Sequence, residues 1–269
     1  MRRNGFAGLA LAFTLAGCAI SQQQEVQMGQ QYAQEINAQL PLVQDAELNR
    51  YINVLGDSIS KLADSRNLDW HFYIVDSPEV NAFAVPGGYI YVNRGLIERT
   101  DRMDELAGAM GHEIGHVVKR HSVKQMEKQN AASLGVNVAC VLTSVCNSQA
   151  AAAAINIGGA AVFAKFSRED EAEADQEGIK NVVRAGISPE GMPSLFQKLL
   201  DERRTKPDAV SGWFASHPME EDRIQATQAT INTYDPALLR SLTKDTQLYH
   251  QFVARLKSLP PSPTQANRN

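Results

Sequence analysis

The sequence predicts an α+β fold that is mostly helical and contains one small antiparallel sheet of about three strands. Two observations support it. Long stretches place apolar residues at helical spacing, and a single region near residues 70–92 holds short runs of β-branched and aromatic residues separated by proline and glycine. The 269 residues, 43% hydrophobic and 21% charged, are sufficient for a full core and typical of a folded globular chain. A formal charge of -4 gives no electrostatic reason to expect nucleic-acid binding.

The elements follow from periodicity and from start and stop signals. In order, the pattern predicts a helix over about 21–39, a second from Asp45 to about Ile59, strands at 70–75, 81–84 and 89–92, a long helix from about 101 to 129, an apolar helical hairpin over 131–165, a helix over about 168–184 that Gly186 ends, a helix beginning at Ser188-Pro189, and helices near 219–232 and 244–257. Prolines open a tail, 259–269, that is predicted to be disordered.

The first 17 residues have the plan of a secretory signal peptide. Two arginines precede an uncharged stretch, 5–17, that is too short to span a membrane as a stable helix. The stretch ends in Leu-Ala-Gly-Cys, which resembles the lipobox of bacterial lipoproteins and implies cleavage before Cys18 and lipidation of its thiol. Ala19, rather than aspartate, then favours the periplasmic face of the outer membrane, with 18–24 as the tether. The alternative is an ordinary buried helix with a chance cysteine.

Cys140 and Cys146 remain as an even pair in an oxidising compartment. On one continuous helix, residues six apart lie about 9 Å apart along the axis and point to different sides. A disulfide between them therefore requires a turn, and the alternative is two buried free thiols. The surrounding segment, 131–165, is rich in alanine and almost uncharged, so packing over the core is favoured over contact with a membrane.

The residues His112, Glu113 and His116 form an HExxH motif. Residues i and i+4 share one face of a helix, so both imidazoles can reach one cation. Glu113 is displaced by about 100° around the helix, where a carboxylate can take a proton from metal-bound water. Five-residue patterns also occur by chance, but Ala107 and Ile114 supply the apolar face that buries such a helix.

His121 does not complete a metzincin motif, because the third histidine of that motif would fall at Ser122. On a continuous helix His121 would lie about 140° away from His116 around the axis. The spacing therefore predicts that His121 is exposed or supports a ligand from behind.

A third ligand is expected from the acidic run at 167–175. Glu171 and Asp175 stand at i and i+4, so that one can bind metal while the other orients a ligand. A solvated acidic face is the alternative.

Together these motifs resemble one metallopeptidase family. HExxH followed by ExxxD, within Ser-Arg-x-x-Glu-x-Glu-Ala-Asp, is similar to the HtpX, BepA and LoiP family of gluzincins, which includes the CAAX prenyl proteases and mitochondrial Oma-type proteases. Asn81-Ala-Phe-Ala-Val-Pro-Gly-Gly88, and Ser216-His217-Pro218 leading to Arg223, agree with it. The resemblance covers about residues 25–230 and implies a zincin-like metallopeptidase domain over 25–258, closest in plan to the LoiP-like lipoprotein branch.

The resemblance also implies roles for individual residues. One zinc ion per chain would be held by His112, His116 and Glu171, with Asp175 orienting a ligand and Glu113 as general base, while Glu173 would face away from the metal. His217 and Arg223 correspond to residues proposed to stabilise the oxyanion, although in some relatives that histidine ligates zinc and blocks the site, and His217-Pro218 is otherwise a simple capping turn. Asn81, Ala82 and Phe83 would form an edge strand to which substrate adds as a further strand, or a plain structural strand.

The function expected is that of a lipid-anchored zinc endopeptidase acting on misfolded or unassembled envelope proteins. One alternative is a non-proteolytic assembly factor for outer-membrane proteins, for which Glu113 would have no purpose. Another is a zinc-buffering lipoprotein, which six scattered histidines do not favour. The substrate and the oligomeric state are left open.

Overall fold

A computed structural model describes residues 19–129, 165–218 and 221–262. The predictions for the signal peptide, for Cys18, for Cys140 and Cys146 and for nearly all of the 131–165 hairpin lie outside these residues. Within the described ranges, no helix combines the length and the apolar composition needed to cross a membrane.

The described residues confirm a mostly helical α+β fold with one small sheet. The helices are α1 (Gln22–Gln39), α2 (Ala46–Ala63), α3 (Arg94–Ile97), α4 (Met103–Val118), α5 (121–129), α6 (Arg168–Arg184), α7 (Gly191–Thr205), α8 (Ser211–Ser216), α9 (Glu221–Ile231), α10 (Pro236–Ser241) and α11 (Gln247–Lys257), with a 3-10 turn at Pro207–Val210. The strands are β1 (His71–Val75), β2 (Ala82–Val85) and β3 (Tyr89–Asn93). Helix α7 begins slightly later than Ser188-Pro189 predicts, because residues 189–190 form a turn.

The sheet is mixed rather than wholly antiparallel as predicted. Its order is β1-β3-β2, with β1 parallel to β3 and β2 antiparallel to it. The prediction of β1 was wrong in direction because residues 76–81 do not form a hairpin. They cross the end of β3 and place β2 on its other side, which leaves β2 at an edge of the sheet.

The sheet lies between two apolar layers. Alternate β3 residues such as Ile90 and Val92 face the main core, together with apolar side chains of α2, α4 and α7. Tyr89 and Tyr91 face the other way, into a smaller cluster that includes Ala33 of α1. Helix α1 therefore covers one face of the sheet, and the helix carrying the HExxH motif lies on the other.

The long helix predicted from 101 to 129 is interrupted. Helix α4 ends at Val118, the chain turns at Lys119 and Arg120, and helical structure resumes at His121. Arg120 has a φ of +59°, which non-glycine residues rarely adopt. The turn is held from outside the helix, because the Arg120 guanidinium donates to Glu25 of α1, and this long-range contact has no local sequence signal.

Helices α4 and α6 cross at unusually close range. A Cβ atom on Gly115 would lie 2.7 Å from the Ala174 carbonyl oxygen, and one on Gly178 would lie 2.9 Å from the Gly111 carbonyl carbon. Main chain therefore packs on main chain, in the way that small residues permit. The crossing brings the HExxH motif and the acidic run face to face.

Candidate active site

Two helices supply the central residues of the site. Helix α4 carries His112, Glu113 and His116, all fully buried. Helix α6 carries Glu171 and Asp175 within its first two turns. Its start is set by a capping box at residues 167–170, in which the serine hydroxyl accepts from a backbone N–H and the aspartate carboxylate accepts in return.

Four side chains direct potential ligand atoms at one point. In the described part of the chain, atoms of His112, His116, Glu171 and His217 all lie within 4.8 Å of one another. The Nε2 atoms of the two HExxH histidines are 3.0 Å apart, and His116 Nε2 is 3.4 Å from a Glu171 carboxylate oxygen. Buried lone pairs converge at this point, and a shared cation would balance them. Imidazole nitrogens with a carboxylate oxygen are a donor set that suits zinc.

The protonation of the ligands agrees with metal binding. Burial lowers the pKa of His116 and so favours the neutral ring, the form that binds a metal. Burial alone would raise the pKa of Glu171, but the attraction of His217 and His112 outweighs it and lowers that pKa. Glu171 is therefore a carboxylate inside the protein.

His217 is the C-terminal cap of α8. It completes the group of four possible metal ligands, which we call the donor cluster: His112, His116, Glu171 and His217. Its Nδ1 lies 3.1 Å from Glu171 Oε1 and 3.2 Å from His112 Nε2, and its ring centroid lies 4.8 Å from that of Trp213. Burial would lower the pKa of His217, but Glu113 and Glu171 outweigh it and raise the pKa.

Glu113 has a carboxylate with no fixed partner. Both of its oxygens are buried and accept no hydrogen bond, and the ring nitrogen His217 Nε2, 3.3 Å away, is itself without a hydrogen bond. Burial raises the pKa of Glu113. A buried carboxylate without hydrogen bonds is costly, and such groups call for a functional explanation.

Asp175 and Arg223 lie behind the site rather than over it. Asp175 Oδ1 is 2.8 Å from His112 Nδ1, so the carboxylate holds the ring nitrogen that faces away from the donor cluster. Arg223, on α9, donates to both Asp175 oxygens, to Glu171 at 2.5 Å and to the Pro218 carbonyl. Most of its donors are thus committed to the two buried carboxylates.

His121 is buried, in contrast to the exposed position that the spacing allowed. Its Nδ1 lies 2.9 Å from His116 Nδ1, and its Nε2 lies 3.1 Å from Glu173 Oε2. The angle of 140° applied to a continuous helix, and the turn at 119–120 brings the ring back. Glu173 lies away from the donor cluster, as expected. Phe166, which the sequence reasoning missed, stacks on the His116 ring with centroids 3.9 Å apart.

The residues predicted to bind substrate lie at the edge of the sheet. The Asn93 N–H donates to the Asn81 carbonyl, so Asn81 and Phe83 form the hydrogen-bonded pairs with β3. The backbone groups of Ala82 are then directed away from β3. The Phe83 ring stacks on Tyr91, and the Asn81 side-chain oxygen is buried without a hydrogen bond.

Comparisons with known proteins agree with this site. The model of peptidase family M48 matches residues 44–231, which include the donor cluster and Arg223. The chain is 34% identical to the beta-barrel assembly-enhancing protease of Escherichia coli O157:H7, over 85% of this chain and 48% of that protein. It is 28% identical to the metalloprotease LoiP of Escherichia coli K12 (77% of this chain, 80% of that protein). It is 26% identical to the mitochondrial metalloendopeptidase OMA1 of Schizosaccharomyces pombe (77% and 59%).

The chain spans about half the length of the curated assembly-enhancing proteases it matches. The family match confirms the predicted resemblance, and with the buried cluster of histidines and glutamate it confirms the prediction of a zinc metallopeptidase. On its matched residues and its relatives, the chain belongs to peptidase family M48.

Proposed function

We propose that this chain is a zinc-dependent endopeptidase that hydrolyses misfolded or unassembled proteins of the bacterial envelope. The observation that carries the proposal is the buried Glu113 carboxylate. It accepts no hydrogen bond and lies beside a cluster of metal-ligand atoms. A purely structural metal site has no need of such a group, whereas a hydrolase needs a base at this position.

His112, His116 and Glu171 would hold the zinc ion. Bound zinc supplies a Lewis acid that lowers the pKa of water to about 7. Glu113 would take the proton of the attacking water on its carboxylate and deliver it to the leaving amine. Its buried setting raises its pKa toward the working pH, which suits a group that must both accept and return a proton.

Arg223 and Asp175 would act by fixing the ligands. The guanidinium pairs with two buried carboxylates, and Asp175 holds His112 with Nε2 facing the cluster. The resemblance also assigns Arg223 to the oxyanion, and that role stays a prediction. Its observed contacts favour the positioning role, because most of its donors already have carboxylate or carbonyl acceptors.

His217 would close the site in the resting protein. Its contacts with Glu171 and His112 support a role as a fourth ligand, and a site with four protein ligands has no open position. His217→Ala should therefore increase cleavage of an unstructured protein several-fold, measured as initial rate at saturating zinc. A decrease in rate would instead assign His217 to stabilisation of the transition state.

Substrate would add to the outer edge of β2 at Asn81, Ala82 and Phe83. Backbone pairing selects extended chains rather than particular sequences, which suits unfolded proteins. The name of the relative that is 34% identical refers to assembly of beta-barrels. This name and the lipobox-like motif that ends at Cys18 support a chain anchored by lipid on the periplasmic face of the outer membrane.

The decisive experiment is a casein-cleavage time course with the chain from residue 19, in zinc, beside Glu113→Gln. Loss of a general base should reduce the rate by about 10²–10⁴-fold while the bound zinc, measured by atomic absorption, is unchanged. Glu169→Gln makes the same chemical change on an exposed part of α6 and should have no effect. Equal cleavage by wild type and Glu113→Gln would indicate a contaminating protease and remove the support for this mechanism.

A non-proteolytic assembly factor is the second candidate, and the four-ligand arrangement favours it. It predicts that Glu113→Gln fully restores outer-membrane protein assembly in cells lacking the wild-type chain. The protease proposal predicts that this variant fails to do so although it binds zinc.

A further inference from the structure

The His116 ring has a second polar contact on the side away from the donor cluster. Its Nδ1 lies 2.9 Å from His121 Nδ1, and His121 Nε2 lies 3.1 Å from Glu173 Oε2. His121 is 1% exposed, whereas the Glu173 side chain is 44% exposed. A buried imidazole thus connects a ligand histidine to a carboxylate at the surface.

One arrangement of protons satisfies every contact in this series. His116 directs Nε2 at the donor cluster, so its ring proton is on Nδ1 and points toward His121. His121 must then accept at Nδ1 and carry its own proton on Nε2. That proton points at Glu173, with a further carboxylate oxygen of Asp170 at 3.6 Å. The ionised carboxylate therefore fixes the tautomer of His121, which in turn fixes that of His116.

We propose that His121 is a positioning residue for the zinc ligand His116, and that Glu173 sets the tautomer in which His121 does so. The proposal rests on the zinc site of the proposed function but not on proteolysis. Ligand histidines commonly donate their second ring N–H to a carboxylate, a carbonyl or water. Here His121 Nδ1 would be the acceptor for the second ring N–H of His116.

The backbone is shaped to bring His121 to this position. On a continuous helix the residue five after His116 would point about 140° away. The turn at Lys119 and Arg120, with its φ of +59°, reverses that displacement. Glu25 holds the turn by accepting from the Arg120 guanidinium at 2.8 Å. A positive φ at a non-glycine residue is energetically unfavourable, and such strain is typical of functional sites.

Replacement of His121 by side chains of different shape separates positioning from packing. Asparagine places an amide oxygen near the position of the missing Nδ1 and can accept from His116. Glutamine is closer to histidine in volume, but it places its amide near the position of Nε2. Leucine fills the space and accepts nothing. A positioning role therefore predicts that Asn restores function best, whereas a packing role predicts that Asn, the smallest, is worst.

The test is the zinc dissociation constant of the full chain, measured by competition with a chromophoric chelator. His121→Leu and His121→Gln should bind zinc about 10–100-fold more weakly than wild type, and His121→Asn within about threefold of it. The visible spectrum of the cobalt-substituted chain should change in the Leu and Gln variants and be restored in the Asn variant. Zinc affinity that is unchanged in His121→Leu, or weakest in His121→Asn, would overturn the proposal.

Glu173→Gln is a second variant, and it does not disturb core packing because the Glu173 side chain is partly exposed. It keeps a hydrogen-bond acceptor but removes the charge, and it should weaken zinc binding by about threefold. An unchanged affinity in this variant would remove Glu173 from the proposal.

Failure of this proposal and failure of the proposed function give different results. A wild-type chain that binds zinc and cleaves casein, with a His121→Leu variant of equal zinc affinity, would overturn only the role of His121. A wild-type chain that does not bind zinc would overturn both.

Discussion

His112 and His116 lie one turn apart on α4, yet the protein supports the two rings in different ways. Behind His112 is Asp175, an almost fully buried carboxylate that also pairs with the Arg223 guanidinium. Behind His116 is a neutral imidazole, His121, whose own partner Glu173 reaches the surface.

The difference shows two solutions to one problem, the orientation of a ligand ring inside a dry site. The His112 side uses a buried charge, which needs a buried countercharge because ions without partners are strongly disfavoured in the interior. The His116 side keeps the interior neutral and places its charge in solvent, but it depends on a strained turn to deliver His121. Mutations that remove a charge should therefore weaken the support of His112 most. Mutations that alter the turn at 119–120 should mainly weaken the support of His116.

The largest effect is expected on the His112 side from Arg223→Met. The change leaves the buried carboxylates of Glu171 and Asp175 without their cation, so the free energy of unfolding of the metal-free chain should fall by about 3–5 kcal/mol. Denaturant titration measures it. Arg184→Met, at an exposed position of α6, is the control and should change stability by less than about 0.5 kcal/mol. Equal losses in both variants would mean that the buried charges are not mutually dependent.

A smaller effect is expected from Asp175→Asn, which keeps the shape of the side chain and removes its charge. Zinc binding should weaken by about 10–100-fold, because the carboxylate both orients the His112 ring and makes its Nε2 a more basic metal ligand. The matched change on the other side is Glu173→Gln, with a charge that solvent already screens. Chelator competition on both variants compares the two supports directly, and a greater loss in Glu173→Gln would reverse the comparison.

The smallest effect is expected at the turn that delivers His121. Arg120→Gly and Arg120→Ala both lose the contact with Glu25, but only glycine adopts a φ of +59° without strain. The glycine variant should therefore be more stable than the alanine variant by about 1 kcal/mol. Gln176, exposed within α6, is the control, because glycine in a helix interior is less stable than alanine by about 1 kcal/mol. The same order at both positions would show that the turn is unstrained.

Much of the fold and of the donor set could be predicted because its signals are local. The spacing of His112 and His116, and that of Glu171 and Asp175, assigns each pair to one helical face. The helix that carries Glu171 and Asp175 was predicted over about 168–184, and α6 has those bounds in the structure. The His217 position was available only through the resemblance, since an isolated Ser-His-Pro indicates little more than a turn.

The remaining features depend on contacts between distant parts of the chain. No glycine or proline marks the break after Val118, and the contact at that turn, between the Arg120 side chain and Glu25 of α1, joins residues far apart in sequence. Phe166 gave no signal as an isolated aromatic residue before a capping box. The parallel pairing of β1 with β3 followed from the path of a six-residue connection, which periodicity does not describe.

The contact between Gly115 and Ala174 has a consequence for engineering. Main chain rests on main chain there, so the backbones themselves, rather than the ligand side chains, limit how closely α4 and α6 approach. The spacing of the two helices is therefore set by their backbones. A designer who exchanges Glu171 for histidine, to prefer a softer metal, would keep the spacing of the two backbones, but the new ligand atom would have a different reach and Arg223 would lose one of its two carboxylate partners.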